Sequence, residues 1–139
     1  MSVNIFIDTN IFVYAKLIHA KEPEKHEKAV YFLKNQLKNI IISTQVLNEF
    51  AQVLLKHHID DHTILAAVQQ ISEETTVLPI TLATVNKAWQ IKIQYHFSYW
   101  DSLIIAVALL EKCEVLFTED LQHNQLIEKQ LIIKNPFLL

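Results

Sequence analysis

The chain has 139 residues, of which 51% are hydrophobic and 19% charged, enough for one domain-sized core and too apolar for a disordered segment. It has no glycine, and all 12 of its basic residues are lysine, which excludes glycine-rich phosphate loops and guanidinium clamps. The net charge of −3 does not advertise nucleic-acid binding, and the longest apolar run, residues 103–110, falls well short of the ~20 residues that cross a bilayer.

Residues 3–7 are a β-branched run that predicts a first strand, entered with no basic-then-apolar leader before it. The single cysteine, Cys113, allows no internal disulfide, so a reducing cytoplasm is the expected location. Residues 10–20 read as a helix, and Pro23 with Glu22 and Glu24 marks the start of a second that extends to Lys38. Residues 40–43 predict a buried strand. Residues 45–58 are helical, with Val46, Phe50, Val53, Leu54 and His57 on one face. Asp60 or Asp61 caps a helix to Glu74, and residues 77–80 form a strand that Pro79 pushes to a sheet edge. Thr81 caps a helix to Tyr95, residues 100–112 form another, and strands follow at 114–118 and 131–134. No linker or repeat divides the chain, so residues 1–139 are read as one domain. Strands alternating with helices predict an α/β three-layer sandwich around a central, mostly parallel sheet of roughly four to five strands.

Sheets of this kind bind ligands beyond the carboxyl ends of their strands. Asp8 directly follows the first strand, and Glu119 and Asp120 follow the strand at 114–118. Glu49 lies in the second turn of the helix after the 40–43 strand, and Asp101 opens a nearly all-apolar helix. Asp8, Asp101, Glu119 and Asp120 each have a plain structural reading as a helix cap, first-turn acid or turn residue, and Glu49 as a residue at the edge of its helix's apolar stripe. Jointly, from separate segments, they predict a carboxylate cluster. Such a cluster repels itself unless protonated or neutralised, and hard oxygen ligands select Mg²⁺ or Mn²⁺. Setting those acids aside leaves 12 lysines against 10 other acids, a mildly positive remainder compatible with RNA. Helix 10–20 is apolar almost all round, so it needs a cover beyond the sheet, either the next helix or a partner groove.

Asp8-Thr9-Asn10, the run Ser43 to Glu49, Phe97-Ser98-Tyr99-Trp100-Asp101-Ser102, and Thr118-Glu119-Asp120-Leu121-Gln122-His123 resemble the four motifs of PIN-domain ribonucleases. More narrowly, the chain resembles VapC-type toxins of prokaryotic toxin–antitoxin pairs, over nearly its whole length. The resemblance implies a Mg²⁺- or Mn²⁺-dependent endoribonuclease with Asp8, Glu49, Asp101 and Asp120 as catalytic and metal-binding acids. It gives Thr9 and Asn10 the role of shaping the pocket, Ser43 and Thr118 that of steadying the acids, and Glu119 an outer position. It further implies a homodimer and a small VapB-like antitoxin. Asn124 stands where related sequences often carry glycine, and asparagine tolerates left-handed geometry. The absence of arginine is a second departure.

Three rival readings carry different predictions. Metal-free cleavage by His96 and His123 would leave a cyclic phosphate. A phospho-aspartate phosphatase or receiver would use Asp8 as nucleophile, but a phosphatase wants an acid where Asn10 stands, and a receiver wants a late lysine. A non-catalytic PIN-like module for RNA or protein would have no chemical use for the acid set.

Overall fold

The computed structural model describes residues 3–139. Its aliphatic runs form β1 (Asn4–Ile7), β2 (Asn39–Ser43), β3 (Thr76–Leu78), β4 (Val115–Phe117), β5 (Leu126–Ile127) and β6 (Leu131–Lys134). They make one six-stranded sheet in the order β3-β2-β1-β4-β6-β5. Every pairing is parallel except β5 with β6. In β1, Ile5, Phe6 and Ile7 are all fully buried, as expected of a parallel strand covered on both faces.

The connecting helices are α1 (Thr9–Lys16), α2 (Glu24–Lys34), α3 (Thr44–Lys56), α4 (Asp61–Glu74), α5 (Leu82–Tyr95) and α6 (Tyr99–Leu110). From β1 the chain steps outward through α1 and α2 to β2, then through α3 and α4 to β3. It then returns past β1, through α5 and α6, to β4. Right-handed crossovers in opposite directions put α1–α4 on one face and α5–α6 on the other. The packing follows: α1 lies against α2 and α3, α3 against α4, and α5 against α6. A short 3-10 turn, Pro136–Leu138, closes the chain against α2. Among the described residues, no helix is long and apolar enough to cross a membrane.

Several boundaries differ from those the sequence predicts. The sheet has six strands rather than four to five, because β5 is a two-residue strand set between turns. Helix α1 stops at Lys16, with Leu17 already extended, and a turn in which the Glu22 N–H donates to the His19 carbonyl leads into Pro23. Helix α2 stops at Lys34 rather than Lys38: the side-chain amides of Asn35 and Gln36 donate to the Tyr31 and Phe32 carbonyls and compete with the helical ladder. Strand β3 ends before Pro79 and lies at the sheet edge. The caps at Asp60 and Thr81 form, the latter a capping box with Thr84. Left-handed turns fall on His58, His96, Lys112, Asn124, Glu128 and Lys129, in a chain without glycine.

Candidate active site

Strand β1 has β2 on one side and β4 on the other, reached by crossovers running in opposite directions. This is the switch point at which an open parallel sheet leaves a crevice beyond its strand ends. The motif residues Asp8, Ser43 and Thr118 occupy those ends.

Asp8 is the N-cap of α1 and only 5% exposed. Its Oδ1 accepts the Thr9 N–H at 2.7 Å. Its Oδ2 accepts the Thr118 hydroxyl at 2.9 Å and the Asn10 amide at 3.4 Å. The same Asn10 amide donates to Asp120 Oδ2 at 3.0 Å and lies 3.2 Å from Thr118 Oγ1. The Asp120 N–H donates to Thr118 Oγ1 at 3.1 Å, and the Glu119 N–H donates to Asn10 Oδ1 at 3.4 Å. Asn10 and Thr118 therefore couple the acid after β1 to the acid after β4.

A second pair forms across the crevice. Gln45, in the first turn of α3, donates its amide to Glu49 Oε1 and to the Trp100 carbonyl, both at 3.1 Å. The bond to Trp100 ties α3 to the first turn of α6, where Asp101 stands. The Asp101 N–H donates to Ser98 Oγ, the N-cap of α6.

The four acids feel one another's charge. Burial pushes Asp8 up to about 7 against the hydrogen bonds from Thr9 and Thr118, and Asp120 and Glu49 push it further. Glu49 is raised by burial and by Asp101 and Asp120, with Gln45 opposing. Asp101 is raised by burial and by Asp120, with Ser98 opposing. No ion pair among the described residues involves any of the four acids. Nor do any three Asp, Glu, His or Cys side chains among them close into a metal cage. The acids thus line a crevice in which they repel one another, more open than a preformed cage.

The donor set fits a hard divalent cation: carboxylate oxygens, mutual repulsion and no lysine bonded to them. Two buried hydroxyls beside the acids, Thr9 Oγ1 and Ser43 Oγ, have no hydrogen-bond partner. Thr9 leans toward Glu49 and lowers its pKa without closing a full bond.

Glu119 points away from this set. Its carboxylate accepts the Tyr14 hydroxyl at 2.6 Å and the Lys25 ammonium at 2.7 Å. Lys25 also pairs with Glu22 at 2.7 Å and lies 5.2 Å from the ring centroids of Tyr14 and Phe137. Burial and Glu119 push the Tyr14 hydroxyl up to about 12. Neither histidine of the metal-free reading bonds to an acid: His96 is the exposed, left-handed C-cap of α5, and His123 Nδ1 accepts the Asn135 N–H. The phospho-aspartate reading also lacks its machinery, because Asn10 donates where a second acid is needed and Lys134 is bonded to Asn124. Asn124 takes its left-handed turn at φ 70°. Cys113 is buried, and burial pushes its thiol up to about 12.

A family model described as the PIN domain matches residues 5–129. The chain belongs to the PIN family. The match runs from β1 through β5 and includes all four acids. No curated protein sequence matches the chain. Among solved structures it is similar to Mycobacterium tuberculosis VapC20, described as a sarcin–ricin loop cleaving toxin, at 20% identity and TM-score 0.68, covering 84% of this chain and 91% of that one. It is similar to a chain of a Klebsiella pneumoniae toxin–antitoxin complex at 19% identity and TM-score 0.68, covering 95% and 97%. It is also similar to DNA-bound VapBC from Salmonella typhimurium at 19% identity and TM-score 0.66, covering 96% and 98%. At such identities the likeness is one of fold.

Three residues in and beside this PIN crevice escape sequence reasoning. Gln45 carries a signal, since it stands one helical turn before Glu49 with no ionic partner there. Tyr14 and Lys25 carry none, because only the fold brings them to Glu119.

Proposed function

We propose that this PIN-domain chain is a Mg²⁺- or Mn²⁺-dependent endoribonuclease acting as the toxin of a type II toxin–antitoxin pair. The observation that carries the reading is the set of four mutually repelling carboxylates at the strand ends, without a basic partner. Asp8, Glu49, Asp101 and Asp120 would hold the metal. A divalent cation bound there supplies charge neutralisation at the phosphodiester and makes water a competent nucleophile at neutral pH. Asn10 and Thr118 orient Asp8 and Asp120, and Gln45 orients Glu49.

The similarity to VapC20 and to toxin–antitoxin complexes supports RNA as substrate and a VapB-like antitoxin as partner. An apolar groove of about 550 Å³ beside α1, lined by Phe12, Val30, Leu33, Phe50 and Ile71, is a surface such a partner can fill. Although α2 packs on α1, it leaves this groove open. On α5, Leu82, Trp89 and Ile93 form an exposed apolar stripe at helical spacing, which supports a homodimer.

Purified protein is expected to cut RNA with Mn²⁺, leaving 5′-phosphate ends, and to stop on addition of chelator. Asp101→Asn is expected to lower the rate at least about 100-fold, beyond the usual range for outer-shell partners. Chelator-resistant cleavage with cyclic-phosphate ends overturns the metal mechanism, and full activity in Asp101→Asn removes that acid from it.

A further inference from the structure

A second cavity, of about 560 Å³, lies between the first turns of α3 and α6, with Gln45, Asn48, Glu49, Ile80, Trp100 and Leu103 in its wall. Trp100 immediately precedes Asp101 and is 63% exposed, a large aromatic face beside the acid crevice. Its position is fixed from two sides. The Tyr99 ring meets it edge-on at 5.5 Å, and the Gln45 amide donates to its carbonyl at 3.1 Å.

Gln45 ties this wall together from α3. The residue is 8% exposed, and its Nε2 donates both to Glu49 Oε1 and to the Trp100 carbonyl, which holds the Glu49 carboxylate and the Trp100 backbone at a fixed spacing. A wall with an aromatic face, aliphatic sides and a carboxylate repels an anion. It also disfavours an apolar protein face, which would seal the Glu49 carboxylate away from water. It suits a neutral, planar group.

We infer that this cavity is a nucleobase subsite, in which Trp100 stacks an unpaired base next to the scissile phosphate. The inference rests on the nuclease reading above and adds a substrate-binding residue to it. Stacking on an exposed aromatic is the usual means of holding an unpaired RNA base.

The test uses the full chain with Mn²⁺ and the homopolymers poly(A), poly(C) and poly(U). Trp100→Ala is expected to raise KM for each polymer that is cut about tenfold with kcat nearly unchanged, as the loss of one stacked base predicts. Trp100→Phe, which keeps a ring, is expected to restore most of that loss. An unchanged KM in Trp100→Ala overturns the subsite and leaves the nuclease reading standing. A halved mass of Trp100→Ala in sedimentation assigns the ring to contact with a second copy and also overturns it. Failure of the unaltered protein to cut either the polymers or total cellular RNA with Mn²⁺ overturns the nuclease reading and the subsite together.

Discussion

Asp8 caps α1 with one carboxylate oxygen and gives the other to Thr118 and Asn10, so it is a structural cap and a member of the proposed acid set at once. The two roles pull its charge in opposite directions. Hydrogen bonds favour the anion, burial opposes it more strongly, and the carboxyl rises from 3.8 to about 7. Below the unfolded pKa both states are protonated and Asp8 contributes nothing to the pH dependence. Between the two values the folded state holds a proton that the unfolded chain has released, so stability falls as pH rises. The full penalty stands above the folded value, with a ceiling of about 4 kcal/mol from the size of the shift. Glu49 and Asp101 are raised too and act with the same sign. In chelator, the melting temperature is therefore expected to be higher at pH 5 than at pH 8, and Asp8→Asn should flatten part of that slope. Parallel profiles for the two proteins would remove Asp8 as the source.

At the scale of elements, the alternation of strand and helix was legible because most strands are short runs of aliphatic residues, and the helices show either an apolar stripe, as in α3, or an apolar run too long for a strand, as in α6. The acids were legible for a related reason: Asp8 and Asp120 sit within a few residues of apolar strands, and Asp101 opens an apolar helix. What the sequence hides is pairing. Two residues suffice for β5 only because β6 is already in place beside it. Glu119 adjoins a site acid, yet its side chain joins Tyr14 on α1 and Lys25 on α2. Burial of Lys25 works against its charge, but Glu119 and Glu22 more than offset this and hold its pKa well above the usual lysine range. The contact is a tether: it anchors the turn after β4, whose neighbouring residue Asp120 bonds to Asn10. Lys25→Met and Glu119→Gln are each expected to destabilise modestly, and the double variant by less than their sum. A coupling of about 1 kcal/mol, at the upper end for partly exposed pairs, is expected from a double-mutant cycle of urea melts. Additive effects would mean the ion pair carries no tethering energy.

For the whole molecule, one sheet with helices on both faces means that each layer is stable only through the other. The inner strands β1 and β4 supply residues to a core shared by α1, α3 and α6, among them Phe6, Ile11, Phe50, Leu54, Ile105 and Leu116. Coupling of that kind predicts a single cooperative transition, and the placement of the tryptophans makes it testable. Both of them, Trp89 on α5 and Trp100 on α6, lie on one face. Trp100 also touches the first turn of α3 through Gln45, so in a Trp100→Phe background the fluorescence of Trp89 follows the α5–α6 layer alone, whereas far-ultraviolet circular dichroism follows every helix. Leu54 is fully buried on α3, in the opposite layer. Leu54→Ala should cost about 2–5 kcal/mol, the range for emptying a buried leucine site. If the layers are coupled through the sheet, the variant lowers the urea midpoint by the same amount in both signals, although no tryptophan is near the substitution in the layer order. A fluorescence midpoint that stays put while the dichroism midpoint falls would show the two helical layers unfolding separately. The crevice at the strand ends, which takes Asp8 and Asp120 from one side of β1 and Glu49 and Asp101 from elements on both faces, would then come apart with them.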